Sequence, residues 1–303
     1  MGALSTYLSL IETRAETLAA LVVLGFFVGE LLARGPFTQA LASLSNITDT
    51  LGKKLDREQR SIATRVYRGM VAVLMLVLPA IIAAAALNQP IPWLKLLAGL
   101  LLVAWFGYCF ATISSIQLLR RAKRGGLPLE LPGVNYLFAD HHAVIRYRVA
   151  SRTHAFAIGI VGGCCWYVVG GIVAMAIYLA LAGAHTAYHQ RAAFGWAARS
   201  LFTLANALPA LITRALIFFA SFFTPHTKPL RGLFASNWQS AIATTLDVTL
   251  GGPTPGGEIP WVGQGTARLT LAHLQRAMQL LVAQAVLLVL LLAHSELYKL
   301  LAI

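Results

Sequence analysis

Apolar residues in this chain collect in long stretches, separated by segments that carry charge, glycine and proline. The stretches fall at about residues 18–33, 69–87, 93–113, 155–184, 201–224 and 278–294. A helix needs about 20 consecutive apolar residues to cross the hydrocarbon core of a bilayer. The pattern therefore predicts one all-α membrane domain, a polytopic bundle of about five to six spans. The 155–184 stretch exceeds one straight crossing and is expected to tilt or break at its paired glycines. Before the first stretch stand Glu12, Arg14 and Glu16 rather than a net positive leader, so it reads as a span and not a signal peptide.

The segments between the stretches carry patterns of their own. Over 35–68, Phe37, Leu41, Leu44, Leu51, Leu55, Ile62 and Val66 recur at three- and four-residue steps. That spacing predicts an amphipathic helix lying along the membrane surface. In 114–153, Gly125-Gly126-Leu127-Pro128 breaks the chain before a basic helix that starts near Asp140, its expected N-cap. In 225–277, the run Leu250 to Gly257 (LGGPTPGG) is dense enough in Gly and Pro to predict a turn. Trp261 to Thr266 follows, with Gly263-Gln264-Gly265. Such a turn ahead of a helix either presents backbone N–H groups to a phosphate or merely reverses the chain. It matches neither a Walker loop nor a dinucleotide fingerprint.

Composition agrees with a membrane class. Hydrophobic residues make up 58% and charged residues 12%, against about 25% charged in soluble domains. The net charge of +13 raises a nucleic-acid reading, but its distribution points elsewhere. Segments 35–68, 114–153 and 225–277 hold 17 Lys and Arg, whereas the opposite side holds Arg14, Arg191, Arg199 and Lys299. By the positive-inside rule these three loops are cytoplasmic and both termini lie outside. The expected location is a bacterial inner membrane, with the bilayer and no nucleic acid as partner. Cys109, Cys164 and Cys165 sit within apolar stretches and read as small packing residues.

Ionisable residues within spans are costly and often functional. Glu30 and Arg214 are of this kind, and Asn206 and Pro209 predict a kinked, polar-faced helix around Arg214. Asp140, beside His141 and His142, is a further candidate. Gly159/Gly163 and Gly170/Ala174 have the small-residue spacing of close helix packing. His185 and His189 share a helical face, but no third ligand is near in sequence and no metal site is assigned. No nucleophile elbow, paired-carboxylate motif or zinc signature is present.

Several of these blocks together resemble the CobD/CbiB family of cobalamin-biosynthesis membrane proteins. Phe194-Gly195-Trp196-Ala197-Ala198 is similar to the family's FGWA motif, and Asn206 to Thr213 (NALPALIT) to its NxxPARLT stretch. Leu250 to Pro253 with Gly256-Gly257 resembles its LGGPxxYGG block, and Glu30 to Pro36 a worn DxxLGDP. The likeness in block order covers nearly the whole chain. It implies an adenosylcobinamide-phosphate synthase, which joins adenosylcobyric acid to aminopropanol phosphate through an amide bond with ATP and Mg. It further implies ligand-binding roles for Arg146, Arg199, Asn206, Gly251, Gly252, Pro253, Gly256 and Gly257, and it assigns no catalytic residue, Glu30, Asp140 and Arg214 being the candidates.

The chain departs from that family at its polar motif positions. The family's Glu-Asn-x-x-Asp-Gly falls on His154, Ala155, Ile158 and Gly159, and its Asp-Asp pair on Phe202 and Thr203. The Arg of its PAR stretch is Leu211, and the Asn and Glu before Gly-Gly-Pro are Phe234 and Gln239. Two function classes follow. One is a cobinamide-step synthase acting on a corrinoid precursor, in degenerate form. The other is a non-catalytic homologue that binds or signals at the membrane, as linked to the AmpE-like proteins, or serves as a structural subunit with a membrane-protein partner.

Overall fold

The computed structural model describes residues 2–32, 36–113, 130–131, 134–235, 237–254 and 257–294. It is 78% helix and 4% strand. The first helices are α1 (Gly2–Leu32), α2 (Pro36–Leu55), α3 (Ile62–Leu87) and α4 (Pro92–Ile113). A short hairpin follows, β1 (Glu130–Leu131) with β2 (Val134–Leu137), then α5 (His141–His154). A π-helical segment, Ala155–Gly162, joins α5 to α6 (Gly163–Tyr188). The rest comprises α7 (Trp196–Ala205), α8 (Ala207–Ser221), α9 (Pro229–Leu233), α10 (Trp238–Thr245), β3 (Leu250–Thr254), β4 (Gly257–Val262) and α11 (Leu271–Leu292).

Among the described residues, four helical stretches are long and apolar enough to cross a membrane: Ile62–Leu87, Pro92–Phe110, His141–Tyr188 and Leu271–Leu292. The pair α7–α8, bent by 53° at Asn206, makes a fifth if it is one span. Asn206 caps α7, its backbone N–H reaching the Phe202 carbonyl, and Pro209 follows in the first turn of α8. The first expected span lies on α1, and its final residues have side chains outside the described set. Large apolar side chains face outward along these helices, including Leu74, Leu78 and Ile82 on α3 and Leu96 and Leu100 on α4. An apolar exterior of this extent suits a lipid surrounding.

The chain is mostly helical, as expected, with two short antiparallel hairpins besides. Three finer expectations are corrected. The basic helix after Asp140 is not a separate loop element, because it runs on through the π-helical segment into the glycine-rich helix. The amphipathic stretch stops at Leu55, and Ile62 and Val66 open α3, whose N-cap Ser61 accepts from the Thr64 N–H. The Leu250–Pro253 block is a strand, not a turn. Gly251 (φ 117°) and Gly252 (φ 89°) adopt backbone angles open to glycine, and they place a bulge in the ladder between Leu250 and Gly252. Pro253 lies in the strand opposite Glu258.

The chain divides into two compact units. The first comprises Met1–Ala111, Ile158–Pro209 and Leu292–Ile303. Here α6 is the central element, with α1, α2, α3 and α7 packed on it. Its core includes Ala72, Val73, Tyr178, Tyr188, Phe194 and Phe202. The long apolar helix breaks at Gly171 (φ 68°), where Arg14 Nη1 donates to the Val169 carbonyl at 3.4 Å. Gly159 lets Trp105 and Cys109 of α4 approach: Trp105 Nε1 donates to its carbonyl at 3.0 Å, and a Cβ there would lie 2.6 Å from Cys109 Sγ. Thr48, Leu51, Gly52 and Leu55 of α2 are buried or half-buried, with Tyr188 Oη donating to the Thr48 carbonyl at 3.0 Å. Leu44 and Ile47 are exposed.

The second unit comprises Thr112–Ala157 and Ala210–Leu291. Its core draws on α5 (Val144, Ile145, Val149), α8 (Ile217, Ala220), α10 (Ala241, Ile242) and α11 (Leu274, Ala277, Leu280). The β3–β4 hairpin packs against α5 and α10.

Candidate functional site

Most of the residues singled out for binding converge in the second unit, where α5 meets the glycine hairpin. Helix α5 is set by Asp140, whose Oδ1 accepts from the Ala143 N–H at 2.5 Å. That is N-capping, worth about 1 kcal/mol. Two residues on, His142 Nδ1 lies 2.7 Å from the Leu269 carbonyl. Arg146, one further turn along, donates from Nη1 to the Ala267 carbonyl at 2.7 Å. Its guanidinium lies over the Trp261 ring, 5.2 Å from the centroid. A guanidinium on an indole face gains a cation–π attraction and is held in one plane. Arg146 Nε is buried without a hydrogen-bond partner among the described residues.

The hairpin supplies the ring. Gly252 is the close neighbour of Trp261, and a Cβ there would lie 2.6 Å from Cζ2. A Cβ on Gly251 would lie 2.5 Å from the Pro260 carbonyl oxygen across the ladder. The glycines of the block thus seat the indole under Arg146. Gly263 (φ 95°) turns the chain after β4, and Thr249 Oγ1 donates to the Gly265 carbonyl at 2.7 Å. The Thr266 N–H is spent on the Asp247 carbonyl at 3.3 Å, so it is not available to a phosphate.

Further along α5, Arg148 and Arg152 stand four apart, the spacing of one helical face. Arg148 is half-buried, and its Nε has no hydrogen-bond partner among the described residues. Arg152 is only 4% exposed, and Nη1 lies 3.8 Å from Met278 Sδ. Cationic side chains are rarely buried so deeply. The basic count in the sequence showed these arginines, whereas the indole beneath Arg146 had no sequence signal beyond a Trp next to a glycine turn.

The other expected site residues lie as follows. Gly251, Gly252, Pro253 and Gly257 are in the hairpin, and Gly256 is outside the described residues. Arg214 is half-buried on α8. Arg199 and Asn206 belong to the first unit. Arg199 spends its guanidinium on the carbonyls of His189 (2.9 Å), Arg191 (3.4 Å) and Ala192, clasping the turn before α7. Asn206 Oδ1 accepts from Tyr178 Oη at 2.9 Å. The Glu30 side chain lies outside the described set. His185 stacks on Phe202 at 4.7 Å, and His189 Nδ1 contacts the Thr186 carbonyl at 2.9 Å.

A divalent metal with ATP, as the family resemblance implies, needs clustered oxygen ligands. Ile158 and Phe202, at two of the family's acidic positions, lie in the apolar core of the first unit. Among the described residues no group of three or more His, Cys, Asp or Glu is arranged to hold a metal ion. The described residues do not fit that group. No family model matches this chain, and neither a curated protein nor a solved structure matches it significantly.

Proposed function

We propose that the protein is a divergent CobD/CbiB-like membrane protein of the bacterial inner membrane. It binds an anionic ligand in its second unit and has lost the metal-dependent amide chemistry of the synthase. The observation that carries this reading is Arg146, held between the Trp261 face and the Ala267 carbonyl. A preset guanidinium recognises carboxylate or phosphate. A corrinoid precursor bearing a free carboxylate has that chemistry. Apolar side chains at the family's acidic positions argue against the ligase step.

A second reading, the adenosylcobinamide-phosphate synthase itself, is favoured by the Leu250–Pro253 block, whose glycines seat the indole under Arg146. One experiment separates the two. The full chain is expressed in a bacterium lacking its own synthase, and growth dependent on conversion of cobyric acid is scored. The binding reading expects no growth with the protein present in the membrane, together with saturable binding of cobyric acid to detergent-purified protein. That binding should weaken about tenfold in Arg146→Gln, the size of one lost charge-assisted contact. Growth that vanishes on Arg146→Gln or Arg214→Ala would instead establish the synthase. The topology, with basic loops cytoplasmic, is tested by labelling single cysteines placed at Lys54 and Arg268. Both are expected to react only from the cytoplasmic side.

A further inference from the structure

A second polar site in the same unit is separate from Arg146. A pocket of about 580 Å³ is lined by Arg231 and Phe234 from α9 and its end, Ser240 and Thr244 from α10, and Asp247 and Gln264 from the loops. Its electrostatic centre is Asp247. Lys228 Nζ donates to Asp247 Oδ2 at 2.5 Å, and Arg231 Nη1 lies 3.8 Å from Oδ1. The backbone fixes that carboxylate. Asp247 takes a left-handed φ of 58°, its N–H donates to the Thr244 carbonyl, and its carbonyl accepts from Thr266. Two cations against one carboxylate leave a surplus of one positive charge. Ser240, Thr244 and Gln264 add neutral hydrogen-bonding groups.

Exposed apolar side chains occur at this pocket and near it in the chain, Phe234 among its lining residues. Phe234 is 84% exposed and Leu230, four residues before it, is 65% exposed. Phe222 and Phe223, immediately after the apolar helix α8, are also exposed. Aromatic side chains and cations at the end of an apolar helix are the composition of a membrane–water interface. Exposed aromatic side chains of this kind gain nothing from water, whereas contact with lipid acyl chains would bury them.

From this combination we infer that the Arg231–Asp247 pocket binds the headgroup of an anionic phospholipid. The phosphodiester monoanion is matched by the surplus charge at Arg231. The neutral polyol beyond it is matched by Ser240, Thr244 and Gln264, and the chain ends lie on Leu230 and Phe234. The inference rests on the membrane reading of the chain and is independent of the corrinoid reading. The test uses full-length protein in detergent, probed by native mass spectrometry with phosphatidylglycerol, with phosphatidylcholine and with tailless glycerophosphoglycerol. Retention of phosphatidylglycerol should exceed that of phosphatidylcholine about tenfold and should fall to the phosphatidylcholine level in Arg231→Gln. Phe234→Ser should lower lipid retention, and Lys95→Gln, an exposed cation on α4, should leave it unchanged. Both lipids retained equally, or Arg231→Gln retaining phosphatidylglycerol at the wild-type level with an unchanged unfolding temperature, would overturn the proposal. Equal binding of the tailless headgroup would assign the site to a free phosphodiester and would also overturn it. Recovery of the chain in the soluble fraction without detergent would sink the membrane reading instead, a separate outcome.

Discussion

Gly252→Ala is the substitution through which the hairpin and the arginine site can be tested together. Gly252 has φ 89°, and an added Cβ would lie 2.6 Å from Trp261 Cζ2. An L-residue held in that backbone region is strained by about 2 kcal/mol. Displacing a packed ring adds about 1 kcal/mol, at the low end for overpacking. The unit should lose roughly 3 kcal/mol, which corresponds to a fall of roughly 6–10 °C in unfolding temperature. Because Trp261 lies under the Arg146 guanidinium, the same methyl should shift indole emission and weaken anion binding. The assay is thermal unfolding of detergent-purified protein followed by tryptophan emission. Gly183→Ala serves as the internal control, since Gly183 lies in α6 with nothing within 4 Å of a built Cβ. That change should instead stabilise by about 0.5–1 kcal/mol through helix propensity. Gly252→Ala unfolding at the wild-type temperature with unchanged emission would refute the account of why the hairpin carries glycine there.

Two further outcomes are expected. Tyr188→Phe should cost about 1 kcal/mol, because a buried Tyr188 Oη loses its bond to the Thr48 carbonyl while the ring stays on Phe194; equilibrium unfolding in a denaturing detergent series measures it, and an unchanged midpoint would refute the bond. Lys228 hydrogen-bonded to Asp247, with Arg231 nearby, holds that carboxyl below its ordinary value of 3.8. A depressed carboxylate stabilises fully above that ordinary value, and the contribution fades as the pH falls through the folded pKa. The unfolding temperatures of wild type and Asp247→Asn should therefore differ at neutral pH and converge below pH ~4; curves that stay parallel across that range would refute the pairing.

The bilayer-length apolar stretches were legible because burial in lipid requires a run of side chains with no regard to partner. The 69–87, 93–113 and 278–294 stretches correspond to α3, α4 and α11. Asp140 was legible as an N-cap for a similarly local reason, since its carboxylate meets a backbone N–H three residues on. Local rules also exposed the bend at Asn206 and the break within the long glycine-rich helix, at Gly171. They misplaced the end of the first basic helix, because the apolar steps at Leu55 and Ile62 keep one period across a turn that Ser61 caps.

What tertiary structure alone decided is which polar residues meet. Arg199 looked like a ligand-binding cation, yet three backbone carbonyls of the preceding turn take its guanidinium. Arg146 had the same sequence credentials but finds an indole 115 positions away, a contact that no helical or strand period encodes. Lys228 and Asp247 pair across two short helices, α9 and α10, in the same way. Where the chain is apolar, where it is basic and where glycine is free to bend it could be read locally, since those are properties of single residues and their nearest neighbours. Only the fold decided which cation meets backbone carbonyls alone and which also meets an aromatic face, since that depends on contacts between residues far apart in the chain.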